Sequence, residues 1–196
     1  MTDPTAPRRP LGFTQDQLGW RPWLAPLTEA ELTDVHREAL TGRTASPYFL
    51  LLARDPEVLR ARTRTDIDIF HNADGGLPRA ERELAAVATS RRNGCVFCAS
   101  VHARFAAHYS TRPLDVQRLL DEGVDAPQDR RWRAVIDAAA DLTATPVALT
   151  DEHIEALRTV GLDDLAISDL LHAAAFFNWA NRLMLSLGEP TPPAGE

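Results

Sequence analysis

The stretch Leu77-Pro-Arg-Ala-Glu-Arg-Glu-Leu-Ala-Ala-Val-Ala-Thr-Ser-Arg-Arg-Asn-Gly-Cys95-Val-Phe-Cys98-Ala-Ser-Val-His102-Ala-Arg-Phe-Ala-Ala-His108 reads as helix, Asn93-Gly94 break, helix. If the second helix begins near Cys95, a step of 100° per residue sets Cys98 and His102 about 60° and 20° from Cys95, so all three share one face. Ser100 and Arg104 fall on the opposite side, which predicts that the cysteine face is the buried one. His108 sits nearer Arg104 and reads as a surface histidine.

A thiol at a helix N-terminus meets unpaired N–H groups and the positive end of the helix dipole, which favour thiolate, and a histidine one turn on can accept the proton. Two neighbouring thiols also supply both halves of a redox cycle, sulfenic acid on one sulfur and disulfide closure by the other, with no metal or flavin. Helical rise places Glu83 about 16 Å before Gly94 and His102 about 10 Å after Cys95, so a hairpin could bring them abreast. Periodicity alone leaves Glu81 and Glu83 equally placed, both at the margin of the stripe Leu77, Leu84, Val87 and Ala88. Two other readings compete: a pair of small buried hydrophobes, and zinc held by Cys95, Cys98 and His102. Haem attachment fails because Ala99 follows Cys98, and thioredoxin-like chemistry fails because no βαβ pattern surrounds the pair.

Outward from this stretch, helix starts recur at Thr28 with Glu31, Ser46-Pro47, Asp55-Pro56 and Thr150, and stops at Gly42, Asn93-Gly94, Gly123, Gly161 and Gly188. Eight or nine helices are expected and the fold class is all-α. No segment alternates with period two, so a sheet has no evident source. Residues 1–27 are rich in proline and hold Trp20 and Trp23, which predicts an extended arm whose indoles pack on something larger, followed by a single helical domain over 28–196. The apolar run Leu170 to Leu187 carries Asn178, Asn181 and Arg182 near its centre and reads as a buried helix rather than a bilayer span.

The chain has 196 residues, 44% hydrophobic and 25% charged, which is globular composition and excludes disordered, collagenous and disulfide-scaffold classes. Its formal charge, 21 − 28 = −7, disfavours a phosphate-backbone grip, so no nucleic-acid partner is expected. All 21 basic residues are arginine, which excludes a Schiff-base or P-loop lysine on this chain. Met1 to Pro10 shows no signal-peptide pattern, and the expectation is a cytoplasmic protein without membrane contact.

Glu83, eleven residues, Cys95, two residues, Cys98, three residues and His102 resemble the signature of the AhpD-like alkylhydroperoxidases in the carboxymuconolactone decarboxylase superfamily. The flanking Glu-Arg-Glu-Leu and Ser-Arg-Arg-Asn-Gly-Cys are similar to its peroxidase-related branch, over roughly Ser46 to Gly188. The resemblance implies an all-helical fold, homo-oligomers, and thiol-dependent reduction of organic hydroperoxides with no cofactor. It assigns Cys98 as the attacking thiol, Cys95 as the resolving thiol, and His102 with Glu83 as a proton relay, and so selects Glu83 over Glu81. An external dithiol reductant is implied. One departure stands out: the family's histidine before the second cysteine is Phe97 here, which makes the pocket more apolar. The superfamily's decarboxylases lack the cysteine pair.

Competing functions are a disulfide oxidoreductase for protein or small thiols, a non-catalytic redox-sensing oligomer, and last a decarboxylase-like enzyme. Among lesser candidates, His172 is expected to be a core or interface histidine. Asn178, Asn181 and Arg182 share a face by i, i+3, i+4 spacing and are expected to tie helices together. His36 and His153 read as exposed helix residues, and Trp132 and Phe105 as core or interface. An Ala- and Leu-rich helical surface of this kind associates, so a solution mass measurement is expected to show no monomer at 21.6 kDa; a stable monomer would overturn that.

Overall fold

The computed structural model describes residues 12–43 and 45–192; the first eleven residues, Thr44 and the last four lie outside the described residues. The expectations placed on Met1 to Pro10 and on Pro193 therefore lie outside them as well. Among the described residues the order is strand β1 (Gly19–Pro22), a 3₁₀ turn (Glu29–Glu31), and helices α1 (Asp34–Ala39), α2 (Pro47–Leu52) and α3 (Pro56–His71). Then come α4 (Arg79–Asn93), α5 (Val96–Ser110), α6 (Pro113–Glu122), α7 (Arg130–Leu142), α8 (Asp151–Thr159), α9 (Asp164–Leu187) and strand β2 (Gly188–Thr191).

The expected punctuation forms. Ser46 Oγ accepts from Phe49 N–H, and Asp55 Oδ1 from Val58 N–H, each before a first-turn proline. Thr28 and Thr150 cap their turns as predicted. Gly42, Gly94, Gly123 and Gly161 take positive φ after their helices. One stop has no sequence signal: α5 ends at Thr111, a β-branched residue at φ 58°.

Helix α4 occupies the centre, packed on α5, α7 and α9. Every residue from Glu81 to Ser90 is buried, so this helix has no solvent face, only neighbours on all sides. Small residues Ala85, Ala86 and Ala88 let those neighbours approach. The core runs through Leu77, Leu84, Leu119, Val135, Ile136 and Leu170, with Trp132 buried in it as expected.

Two expectations need correction. A two-stranded antiparallel ribbon exists, with Gly19 opposite Thr191 and Pro22 opposite Gly188. It left no period-two trace because each strand is four residues of Gly, Pro and mixed side chains, held by backbone pairing. Ser100, assigned to an exposed face, is fully buried and its hydroxyl donates to the Phe97 carbonyl at 3.0 Å. Helix α5 is covered on both sides, so the two-sided reading of its wheel fails. His172, expected in the core or an interface, is exposed on α9 in the single chain.

The arm splits in its behaviour. Trp20 is buried, edge-on to Tyr48 at 5.4 Å, whereas Trp23 is 53% exposed. Gly188 permits this docking, because a Cβ there would collide with the Trp20 ring and the Arg21 carbonyl. Gly188→Val is expected to lift β1 off and cost about 1–3 kcal/mol, the scale of overpacking a closed site, read as a lowered denaturation midpoint. An unchanged midpoint would show that the ribbon contributes nothing to stability.

Candidate active site

Helices α4 and α5 form the hairpin on which the site is built. Gly94 at φ 78° ends α4, and Cys95 N–H bonds the Ser90 carbonyl at 2.9 Å, closing a Schellman turn. The chain then enters α5 with Cys95 as its N-cap, which sets Cys98 in the first turn and His102 one turn on. Both cysteines are free thiols and both are buried.

Of the two glutamates that periodicity could not separate, Glu83 meets the histidine. His102 Nδ1 lies 2.5 Å from Glu83 Oε2, and Arg79 Nε donates to Glu83 Oε1 at 2.6 Å. The Glu83 side chain is 0% exposed, so it depends on these partners to stay charged. Glu81 turns the other way into an ion pair with Arg131, at 2.5 Å from Nε. The His102 ring is fixed further by Phe177 edge-on at 4.1 Å and by Phe70 at 5.3 Å. With Nδ1 held by the carboxylate, Nε2 is left as the nitrogen that exchanges a proton.

A cavity of about 580 Å³ opens over this group, lined by Cys98, His102, Glu83 and Phe97 among others. Cys95 does not line it but borders a separate pocket of about 90 Å³ beneath the ribbon. One thiol thus faces the large cavity and the other sits behind. Phe97 lines the cavity with Phe70, Phe105 and Phe177, giving the apolar wall expected of that substitution. Phe105, expected in a core or interface, is 42% exposed on α5 and contributes to that lining. Arm residues Gln17 to Trp20 also line it.

The two thiols are coupled to one another, and their acidities are pushed in opposite directions. Cys95 is pushed below the ordinary cysteine value by the Cys98 thiol, with burial opposing and the Cys98 backbone N–H assisting. Cys98 is pushed up, by its bond to Cys95 and by burial. The first proton lost therefore belongs to the pair, with the charge resting on Cys95 while Cys98 donates. Attack by Cys98 requires that proton to move between the sulfurs or to leave by His102.

Asn181 on α9 adds to the site in a way that spacing does not show. It ties helices as expected, its Nδ2 donating to Ser90 Oγ at 3.0 Å and its Oδ1 accepting from Asn93 at 3.1 Å, with Asn178 accepting from the same amide. Its amide also favours the thiolate form of both cysteines. No spacing rule links positions 98 and 181; only the packing of α9 on α4 brings them together. Arg182 is exposed, as is His108, whereas His36 and His153 are half-buried, each with Nδ1 on its N-cap threonine. His153 Nε2 also meets Asp141 at 3.0 Å.

Among the described residues no group of three or more His, Cys, Asp or Glu is arranged to hold a metal ion, and no helix is long and apolar enough to cross a membrane. The family model for the carboxymuconolactone decarboxylase family matches residues 56–141, which spans α3 through α7 and includes all four site residues. Over these helices the chain is similar to the AhpD-like carboxymuconolactone decarboxylase superfamily. A peroxidase-related protein from Ralstonia eutropha JMP134, described as an alkylhydroperoxidase AhpD core, is 28% identical with a TM-score of 0.71, over 84% of this chain and 88% of that one. A peroxidase-related protein from Silicibacter sp. TM1040 is 26% identical with a TM-score of 0.69, over 96% of both chains. The debrominase Bmp8, at 18% identity and a TM-score of 0.66 over 84% of this chain and 89% of its own, shares the fold. No curated protein matches the chain.

In this AhpD-like chain, hydrogen bonds donated to a sulfur favour thiolate, so removing the Asn181 donor raises the pH at which the pair ionises. Asn181→Leu is expected to move the midpoint of the alkylation rate against pH upward from that of the unsubstituted chain. A midpoint that stays in place would show that Asn181 is structural only.

Proposed function

We propose that the chain is a thiol-dependent peroxidase for organic hydroperoxides. The reading is carried by one observation: Cys98 and the Glu83-supported His102 line a single apolar cavity, while Cys95 lies in hydrogen-bond contact with Cys98 but outside that cavity. A substrate entering the cavity meets one sulfur, and the second is placed to act only afterwards.

The Cys98 thiolate attacks the terminal oxygen of the peroxide, the O–O bond breaks, and the leaving alkoxide takes a proton to become the alcohol. His102, with Nδ1 held by Glu83, accepts the thiol proton at Nε2 and returns it to the leaving oxygen. Cys98 is now a sulfenic acid. The Cys95 thiolate attacks its sulfur, hydroxide leaves as water with one proton, and the disulfide closes. An external dithiol, itself oxidised to a disulfide, returns the pair to thiols. Contact between the sulfurs makes the resolving step intramolecular and fast. The Cys95 thiolate that this coupling favours is the form this step needs.

The resemblance implies assembly, and we infer a homo-oligomer here. Trp179 and Leu185 on α9 and Leu165 near its start are exposed apolar side chains available for that contact.

The test is a stopped-flow thiol count on reduced protein mixed with one equivalent of cumene hydroperoxide. The unsubstituted chain is expected to lose two thiols, Cys95→Ser to trap a sulfenate, and Cys98→Ser to be inert. Glu83→Gln should retain both thiols but slow the first step by about 10²-fold or more, the scale of a positioned acid–base group. Retention of both thiols by the unsubstituted chain would refute the peroxidase, and reduction of insulin disulfides by the same protein would then favour thiol exchange.

A further inference from the structure

The cavity over Cys98 holds a charge imbalance that the thiol chemistry does not use. Three arginines line it, Arg43, Arg62 and Arg79, against two carboxylates, Asp66 and Glu83. Arg79 is taken by Glu83, and Arg43 Nη2 lies 2.5 Å from Asp66 Oδ2. Arg62 Nη1 is left 3.8 Å from that same, already engaged, oxygen. Its side chain is only 8% exposed, and its Nε and Nη1 are buried without a hydrogen-bond acceptor among the described residues.

A buried guanidinium with open donors is costly, and the surroundings hold it in place without answering its charge. The rings of Phe49 and Phe176 flank it at 5.2 and 5.4 Å. The Tyr48 hydroxyl bonds it, but burial pushes that hydroxyl up to about 12, so it stays neutral. The Cys98 thiolate feels Arg62 through space without a hydrogen bond from it. Much of the remaining lining is aromatic or aliphatic, including Phe70, Phe97, Phe105 and Met184. About 580 Å³ lies within the range of sites that enclose a whole small organic molecule.

We propose that Arg62 anchors a carboxylate, and that the cavity takes an aromatic or alkyl monocarboxylate whose hydroperoxide group is presented to Cys98. A carboxylate in the cavity answers the excess positive charge of its arginines, while the apolar body lies along the phenylalanines. This specificity rests on the peroxidase reading for the reacting group, but the anion site itself does not.

The experiment uses two pairs of probes on the full chain. Binding of 4-isopropylbenzoate and the neutral 4-isopropylbenzamide is measured by calorimetry, and thiol oxidation is timed with cumene hydroperoxide and with its para-carboxylate derivative. The unsubstituted chain is expected to prefer the carboxylate of each pair by about tenfold or more, the scale of a charge-assisted hydrogen bond. Arg62→Gln should collapse both ratios to about one, and Arg62→Lys should restore part of each. Equal binding of benzoate and benzamide by the unsubstituted chain overturns the anchor, even if Arg62→Gln does not fold. An equal slowing of both peroxides by Arg62→Gln, with the ratio kept, also overturns it and leaves Arg62 a support of the thiolate. A benzoate preference without any peroxide reduction upholds the anion site and refutes the peroxidase, whereas fast but indiscriminate reduction does the reverse.

Discussion

The carboxylate of Glu83 sits with no solvent access in the middle of a helix that itself has no solvent face. An isolated charge there would be prohibitive, so the structure around it is arranged as its partners. Arg79, one turn earlier, takes one oxygen; His102, from the next helix, takes the other. Arg79 in turn donates to the Phe70 carbonyl and lies over the rings of Phe70, Phe105 and Tyr109, which ties α3 and α5 to the same point. The register of α5 against α4 is therefore held by an ionic contact as well as by the alanine packing of the core, and the orientation of the His102 ring follows from it.

The same hairpin that delivers His102 delivers the sulfurs. A Schellman turn at Gly94 delivers Cys95 as N-cap, and one turn of helix delivers Cys98 to the cavity. Helix α9 closes the group from outside, its Asn181 amide bound to Ser90 and Asn93 and favouring thiolate at both sulfurs. Acidity and access are thereby divided between the cysteines: the proton is more easily lost where the sulfur is hidden and retained where it faces the cavity. That division suits a two-step cycle, in which the second thiol must be ready to attack as a thiolate once the first has been oxidised.

The cavity wall is assembled from segments distant in sequence. Helix α3 brings Arg62, Asp66 and Phe70, the segment around α2 brings Tyr48 and Phe49, and the N-terminal arm brings Leu18 and Trp20. The arm stays because Gly188 leaves room for Trp20 and because the β1–β2 ribbon satisfies its backbone. None of these residues carries a local pattern that marks it as lining. Arg62 is one of 21 arginines, and only its burial away from a free carboxylate distinguishes it.

Helix starts and stops were legible because capping and left-handed glycine turns are local chemistry, completed within four or five residues. The same is true of Cys95, Cys98 and His102, whose common face is a property of one helix. The choice of Glu83 over Glu81 was not legible from periodicity, since α4 is buried all round and its wheel has no polar side to read; the family signature supplied it. The ribbon, the burial of Ser100 and the effect of Asn181 on the thiols escaped for one reason, that each depends on which element lies across from it. The sequence by itself determined an all-helical chain with a dithiol at a helix N-terminus and a histidine one turn on, because those features are set by neighbours along the chain. Tertiary structure alone decided which thiol meets the cavity, which asparagine favours its thiolate and which arginine is left without its own carboxylate, because burial and charge pairing are settled between elements that share no sequence register.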